Sequence, residues 1–277
     1  MKGSVKTAGI QMSPTAVRAR NLKVAGSLIA AAAERGARVI CLPQLFSTPW
    51  FPAVISKDNF RWAEPEDGET VSFLREAARR AGSVVIAPIF ERDGGRFYNT
   101  AFVIDEGGAV LGRYRKVHVP QLPFWEEKAY FSPGDLGFPV FETSFGTVGV
   151  LLCWDVFFPE GFRILALKGV QMVFVPTASA YVHSRRKWER AAAASAQANG
   201  IYVFRVNRTG SEGEQEFYGA SFCAGPGGDL VEGPAGASEG VVLADLDLHA
   251  ISAVRNEWVF LKDRRPDQYG ELTEVKR

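Results

Sequence analysis

Twice along this chain the same order of patterns appears: short apolar strands alternate with apolar-faced helices and then give way to β-hairpins. In the first half "VKTAGIQM" (5–12) reads as a strand, and "NLKVAGSLIAAAAERG" (21–36) as a helix with Gly36 at its C-terminal cap. "ARVICLP" (37–43), a short apolar run ended by proline, predicts a fully buried strand. "TVSFLREAARRAG" (70–82) is a second helix and "SVVIAPIFE" (83–91) a third strand, after which "RDGGR" and "DEGGA" mark hairpins around "FYNTAFVID" (97–105) and "VLGRYRKV" (110–117). In the second half "PVFET" (139–143) and "TVGVLLCW" (147–154) predict strands around the turn "SFG", and "PEGFRILALKG" (159–169) a helix. "VQMVFVPTA" (170–178) is a buried strand, "SRRKWERAAAASAQANG" (184–200) a helix and "IYVFRVNR" (201–208) a strand, followed by hairpins through "DLDL" (245–248).

Two sheets packed on each other, with helices on the outer faces, account for both halves; the expected fold is an α/β four-layer αββα sandwich. No linker or low-complexity stretch divides the chain, which predicts a single domain over residues 1–277. Its charged, proline-broken end, 255–277, is expected to be a C-terminal arm. Two long loops, 44–68 and 117–138, are the segments expected to carry function.

With 47% hydrophobic and 23% charged residues the chain can bury a full core. Its net charge of +1 gives no electrostatic reason to expect nucleic acid or an anionic membrane as partner. The opening "MKGSVKTAGIQM" has no apolar core suited to a signal peptide, and no apolar run reaches the roughly 18 residues of a membrane span; a soluble, cytoplasmic protein is the expectation. The cysteines Cys41, Cys153 and Cys223 form no CxxC pair, and neither they nor the histidines have ligand spacing, so no disulfide framework, metal or organic cofactor is expected.

Cys153 stands apart within "LLCWDVFFPE" (151–160). A free cysteine is most often a small buried hydrophobe. Here, however, the strand stops at "CWD" and a helix opens at "PE", and a side chain at such a turn is presented at the sheet edge, where nucleophiles are found. Cys41 and Cys223 lie inside the apolar runs "RVICLP" and "ASFCAG" and are expected to be packed. In "GRYRKVHVP" (112–120), alternation puts Arg113 and Arg115 on one side and Tyr114 and Lys116 on the other, making Lys116 the inward-pointing cation. His118 has no histidine or carboxylate at ligand spacing and is expected to be structural or supporting. "PFWEEKAYFSPGD" (123–135) carries Glu126 and Glu127 amid aromatics that would desolvate one of them.

On these segments the chain resembles the nitrilase, or carbon–nitrogen hydrolase, superfamily. The matching motifs are "ICLPQLF" (40–46), "YRKVHVP" (114–120), "WEEKAYFSPGD" (125–135), "GVLLCWDVFFPE" (149–160), "VNRTG" (206–210), "FYGASFCAGPGG" (217–228) and "RRPDQYG" (264–270), in the family's order across almost the whole chain. The resemblance implies an αββα sandwich, a homodimer or larger homo-oligomer, and a Glu–Lys–Cys triad assisted by a second glutamate. Carried over motif by motif, the lysine is Lys116, the cysteine Cys153 and the second glutamate Glu127. The tail motif is most similar to that of members acting on N-carbamoyl amines. The departure is at the general base: where the family has "LPE" this chain has "LPQ", with Gln44.

The chemistry explains why these groups belong together. An amide or carbamoyl carbon needs a strong nucleophile, which a thiolate supplies; a carboxylate beside it takes the proton, protonates the departing ammonia and later activates water against the thioester. Lys116 and the Trp154 backbone N–H are expected to hold the oxyanion, with Glu127 orienting Lys116 or helping to place substrate and water. The ammonium is also expected to lower the pKa of the Cys153 thiol. Gln44 matches glutamate in size but has no basic state. Two readings stay open: a hydrolase impaired at Gln44, or a silent ligand-binding member of the same fold. Retention of Lys116, Glu127 and Cys153 tilts towards a deliberate change in an otherwise intact site. A Cys–His hydrolase is a weaker third, since none of His118, His183 and His249 lies in a local pattern that implicates it. Trp50, Trp125 and Phe157 are expected to wall the site of a small amide or carbamoyl substrate. No arginine follows "CWD" to clamp a carboxylate, which favours a neutral or cationic substrate arm.

Overall fold

In a computed structural model that describes residues 3–274, the expected strands and helices form with small shifts at their ends. In chain order they are β1 (Ser4–Gln11), α1 (Arg18–Glu34), β2 (Val39–Cys41), α2 (Glu69–Ala81), β3 (Val84–Asp93), β4 (Arg96–Ile104) and β5 (Val110–Arg115). Then come β6 (Val140–Thr143), β7 (Gly146–Val150), α3 (Pro159–Leu167), β8 (Met172–Thr177), α4 (Arg185–Asn199) and β9 (Tyr202–Asn207). The chain continues through β10 (Thr209–Glu212), β11 (Gln215–Tyr218), β12 (Phe222–Ala224), β13 (Leu230–Glu232), β14 (Gly240–Asp247) and α5 (His249–Glu257).

The strands assemble into two six-stranded sheets, ordered β14-β1-β2-β3-β4-β5 and β13-β12-β9-β8-β7-β6, with β10 and β11 as a separate hairpin. The repetition legible in the sequence is a repetition of topology. In the first sheet β1, β2 and β3 are parallel and flanked by antiparallel β14 on one side and β4 on the other. In the second, β7, β8 and β9 are parallel and flanked by antiparallel β6 and β12. Parallel neighbours need crossover connections, and the helices α1 to α4 supply them.

Period-two alternation sorts the side chains between layers. Val39, Cys41, Val84 and Ile86 face the second sheet and join Val148, Val150 and Phe174 in one core, which continues to Leu165 of α3 and Trp188 and Ala192 of α4. Their neighbours Ile40, Val85 and Ala87 face the other way and pack on Leu22 and Ile29 of α1 and Leu74 of α2. Burial on both faces is why these strands read as continuous apolar runs. The layers are therefore helices, sheet, sheet, helices.

One boundary matters for the site. β7 ends at Val150, short of the expected end at Trp154, and Cys153–Phe157 form a 3-10 turn instead. Beyond α5, residues 258–274 hold two further 3-10 turns, Pro266–Gln268 and Gly270–Thr273, and are mostly exposed. The last residues of the expected arm, 275–277, lie outside the described residues. Among the described residues no helix is long and apolar enough to cross a membrane.

Candidate active site

The residues singled out in the sequence gather where parallel strands end. β1, β2 and β3 run the same way, and β5 is parallel to them because two antiparallel steps separate it from β3. Gln44 lies just past the carboxyl end of β2 and Lys116 just past that of β5; in the second sheet Cys153 follows β7 and Ser179 follows β8. Loops at such strand ends are the part of an α/β sheet free to converge on a ligand.

Lys116 points inward, as alternation predicts, and its ammonium lies 2.6 Å from Glu127 Oε2, with the side chains 1% and 0% exposed. Three contacts hold this pair in register. The Lys116 N–H donates to Asn99 O (2.9 Å), Asn99 Nδ2 donates weakly to Glu127 Oε2 (3.4 Å), and the Gly134 N–H donates to Lys116 O (2.8 Å). Gly134 is required sterically: a Cβ there would sit 2.1 Å from Arg115 O. The loop carrying Glu127 is pinned again where Trp125 Nε1 donates to Ala178 O and Trp50 Nε1 donates to Phe124 O, both at 2.9 Å. Arg115, expected on the opposite side, is buried there rather than solvated, paired with Glu91, Asp93 and Asp135. Burial works to lower the Lys116 pKa, but the facing Glu127 carboxylate and Cys153 sulfur outweigh it and hold the ammonium above the ordinary lysine value.

Cys153 opens its 3-10 turn with φ of 49°, a left-handed conformation that costs a non-glycine residue on the order of 1–3 kcal/mol. Leu45, next to Gln44, and Phe124, in the loop before Glu127, also have positive φ, so strain collects around the gathered residues. Asp155 braces the turn. Its carboxylate accepts from the Leu152 N–H (2.8 Å), the Tyr114 hydroxyl (2.7 Å) and the His118 N–H (3.0 Å), and His118 Nδ1 lies 2.7 Å from it. The cysteine turn is thereby tied to the strand end that bears Lys116. With its ring stacked on Phe158 at 3.6 Å, His118 takes the supporting place expected of it. Trp154 is the second residue of the turn, where a helical N–H has no partner within its own turn.

The thiol differs from expectation. Burial pushes the Cys153 pKa up and Glu127 adds to this; Lys116, the Ala178 N–H and Arg205 pull it back without cancelling it. A neighbouring ammonium therefore does not by itself make a resting thiolate in a site this dry. Cys41 and Cys223 are fully buried in strands, where burial also raises their thiols.

Gln44 is fully buried, and neither its amide oxygen nor its amide nitrogen has a hydrogen-bond partner among the described residues. The same holds for Glu127 Oε1 and Asn99 Oδ1. Orphaned polar atoms are rare in an interior and mark a place built to meet other polar groups. A cavity of about 300 Å³ opens on Cys153, and Gln44, Lys116 and Glu127 do not border it. Trp125, Trp154, Phe157 and Trp188 give it an aromatic wall, and Ser179, His183 and Lys187 its polar lining. Trp50 does not border this cavity; it packs behind Trp125, ring centroids 6.0 Å apart.

Sequence reasoning passed over Asp155, Asn99 and Arg205. Each is a polar residue inside an otherwise apolar run, in "LLCWDVFF", "FYNTAFVI" and "IYVFRV", and that interruption was the available signal.

A family model described as carbon–nitrogen hydrolase matches residues 6–256. The chain is 37% identical to the N-carbamoylputrescine amidase of Solanum lycopersicum over 97% of its own length and 94% of that protein's. The carbon–nitrogen hydrolase from Helicobacter pylori G27 superposes with a TM-score of 0.94 at 31% identity, covering 99% of this chain and 100% of the other. A Glu-to-Gln variant of the amidase from Nesterenkonia sp. AN1, with the acetamide moiety of fluoroacetamide added covalently at the active-site cysteine, superposes with a TM-score of 0.82 at 30% identity and 98% coverage of both chains.

Proposed function

We propose that this chain, which belongs to the carbon–nitrogen hydrolase family, hydrolyses the C–N bond of a small linear amide or N-carbamoyl amine through a thioester on Cys153, at a rate held down by Gln44. The observation that carries the reading is the convergence of a left-handed cysteine turn, a buried Lys116–Glu127 pair and a buried, unpartnered Gln44 at the carboxyl ends of the sheets.

For a primary amide, the Cys153 sulfur attacks the carbonyl carbon, the thiol proton passes to the departing nitrogen, and ammonia leaves. The negative charge that gathers on the carbonyl oxygen meets the Lys116 ammonium and the Trp154 N–H. Water then attacks the thioester carbon, one of its protons returns to sulfur, and the carboxylic acid departs. Each half-reaction needs a group that takes a proton and gives it back, and an amide at position 44 cannot do so. Burial keeps the thiol protonated, so the first half lacks a group to take the sulfur's proton; in the second half it is the attacking water that lacks one. The adduct on the cysteine of the Nesterenkonia amidase variant supports a thiol that stays reactive without the carboxylate. The second reading, a silent ligand-binding member, is favoured by Gln44 alone.

Gln44→Glu is expected to raise ammonia release from a panel of small amides and N-carbamoyl amines by roughly 10²–10⁴-fold, the usual worth of a general base. Silence of that variant across the panel would make the ligand-binding reading the better one. Equal turnover by the parent chain would mean that Gln44 does not stand at the base position.

A further inference from the structure

We infer that Arg205 projects its positive charge into the substrate cavity through Tyr218 and Ser179, and that the cavity therefore takes amides or ureas whose far end carries a carboxylate. This rests on the hydrolase reading for the cavity's identity but concerns the end of the substrate away from Cys153.

Arg205 lies in the middle of β9 and is 0% exposed. Its guanidinium sits 4.9 Å from the Trp188 ring and 5.3 Å from that of Tyr218, and no carboxylate comes within ion-pair distance among the described residues. Nη1 reaches Ala220 O at 3.4 Å, and Nε has no partner. A buried cation with no carboxylate in contact is expensive, and its field acts on what surrounds it: Tyr218 and the Cys153 sulfur, and also Glu189. The path for that field is visible. Arg205 Nη2 donates to the Tyr218 hydroxyl (2.9 Å), which donates to Ser179 Oγ (3.1 Å). Each oxygen accepts on the side of the charge and donates on the other, so the bonds polarise one another in a single direction. The Ser179 hydroxyl proton has no acceptor among the described residues, and Ser179 lines the cavity, as does Trp188, which covers the guanidinium.

The remaining lining agrees. Lys187 and His183 border the same space, and no aspartate or glutamate does. Glu189, on the helix that bears Lys187, is paired with Arg185 at 3.1 Å, and Glu126 accepts from Gln121. The wall thus offers an ammonium and a polarised hydroxyl, a set that suits a carboxylate and repels an ammonium. The neutral or cationic arm expected from the missing arginine after "CWD" is replaced here, because the cations arrive from β9 and α4 instead.

The test is calorimetric titration of the intact parent chain with three ureas of matched length: 3-ureidopropanoate, propylurea and 3-aminopropylurea. The anionic urea should bind about tenfold more tightly than propylurea, the difference between a charge-assisted hydrogen bond and a neutral one, and the cationic urea most weakly. Tyr218→Phe keeps the ring and removes the relay, and should narrow the gap between anionic and neutral ureas to about twofold. Lys187→Met, at an exposed position that does not threaten folding, should narrow it independently. Equal binding of the three ureas, no binding of any, or a preference that survives Tyr218→Phe would each overturn the inference. Binding needs no turnover, so failure here is read separately from failure of Gln44→Glu to release ammonia.

Discussion

Replacing Glu127 by glutamine removes a carboxylate and little volume, and leaves the Lys116 ammonium buried without its partner. The pair is 2.6 Å apart and shielded from solvent, so Coulomb attraction is not screened as at a surface. Breaking such a pair from one side costs about 3–5 kcal/mol, mostly the penalty of the charge left behind. The sign of the pH dependence follows from the same contacts. In the parent chain the Lys116 pKa is raised, so its contribution to stability is fully present below the unfolded value of about 10.4 and is lost as pH rises through the folded value. Without Glu127, burial becomes decisive and the folded value falls below the unfolded one. The variant should then gain stability as pH rises from the lowered folded value towards about 10.4, by at most ~1.4 kcal/mol per pH unit. Urea unfolding followed by tryptophan fluorescence at pH 7 and pH 9.5 would measure both effects. A deficit below about 1 kcal/mol at pH 7, or one that does not shrink at pH 9.5, would refute the reasoning. A useful control pairs Lys116→Met with Glu127→Leu, which removes both charges and should cost less than Glu127→Gln alone.

Iodoacetamide followed by peptide mass mapping should label Cys153 before Cys41 or Cys223, at a rate that keeps rising above pH 8.5 or so, where an ordinary thiol begins to level off, because burial holds the Cys153 pKa up. Preferential label on either strand cysteine would remove Cys153 from the nucleophile's role. Gly134→Ala should abolish activity of the Gln44→Glu chain and destabilise the loop, since the added methyl meets Arg115 O at 2.1 Å; near-normal activity would show that this approach does not hold Lys116 in place. The chain is expected to associate as a homodimer or larger, and light scattering that finds only a particle of about 30 kDa at micromolar concentration would refute this.

The strands and helices were legible because each depends on residues a few positions apart. Apolar runs bounded by proline and glycine marked strands covered on both faces, and alternation alone turned Lys116 and Tyr114 inward. The order of motifs singled out Gln44, Lys116, Glu127 and Cys153, and it is the ground for proposing that Gln44 stands where a general base is expected. Packing over long separations settled the rest. Alternation said nothing of what Arg115 would meet, and its carboxylate partners come from β3, its end and the loop before β6. The end of β7 at Val150 reflects Asp155 folding back onto Leu152 and across to Tyr114, 41 residues away. The direction of the Cys153 shift depends on how much water is excluded, which residue identities do not encode, and an adjacent lysine pointed the other way. Trp50 fell behind Trp125 because a cavity wall is one atom layer deep and only the assembled layers decide which ring faces it. Arg205 interrupts an apolar strand, and its path to Ser179 needs β9, β11 and the end of β8 side by side. Local periodicity reports which way a side chain points, and only the closed fold reports what it meets there.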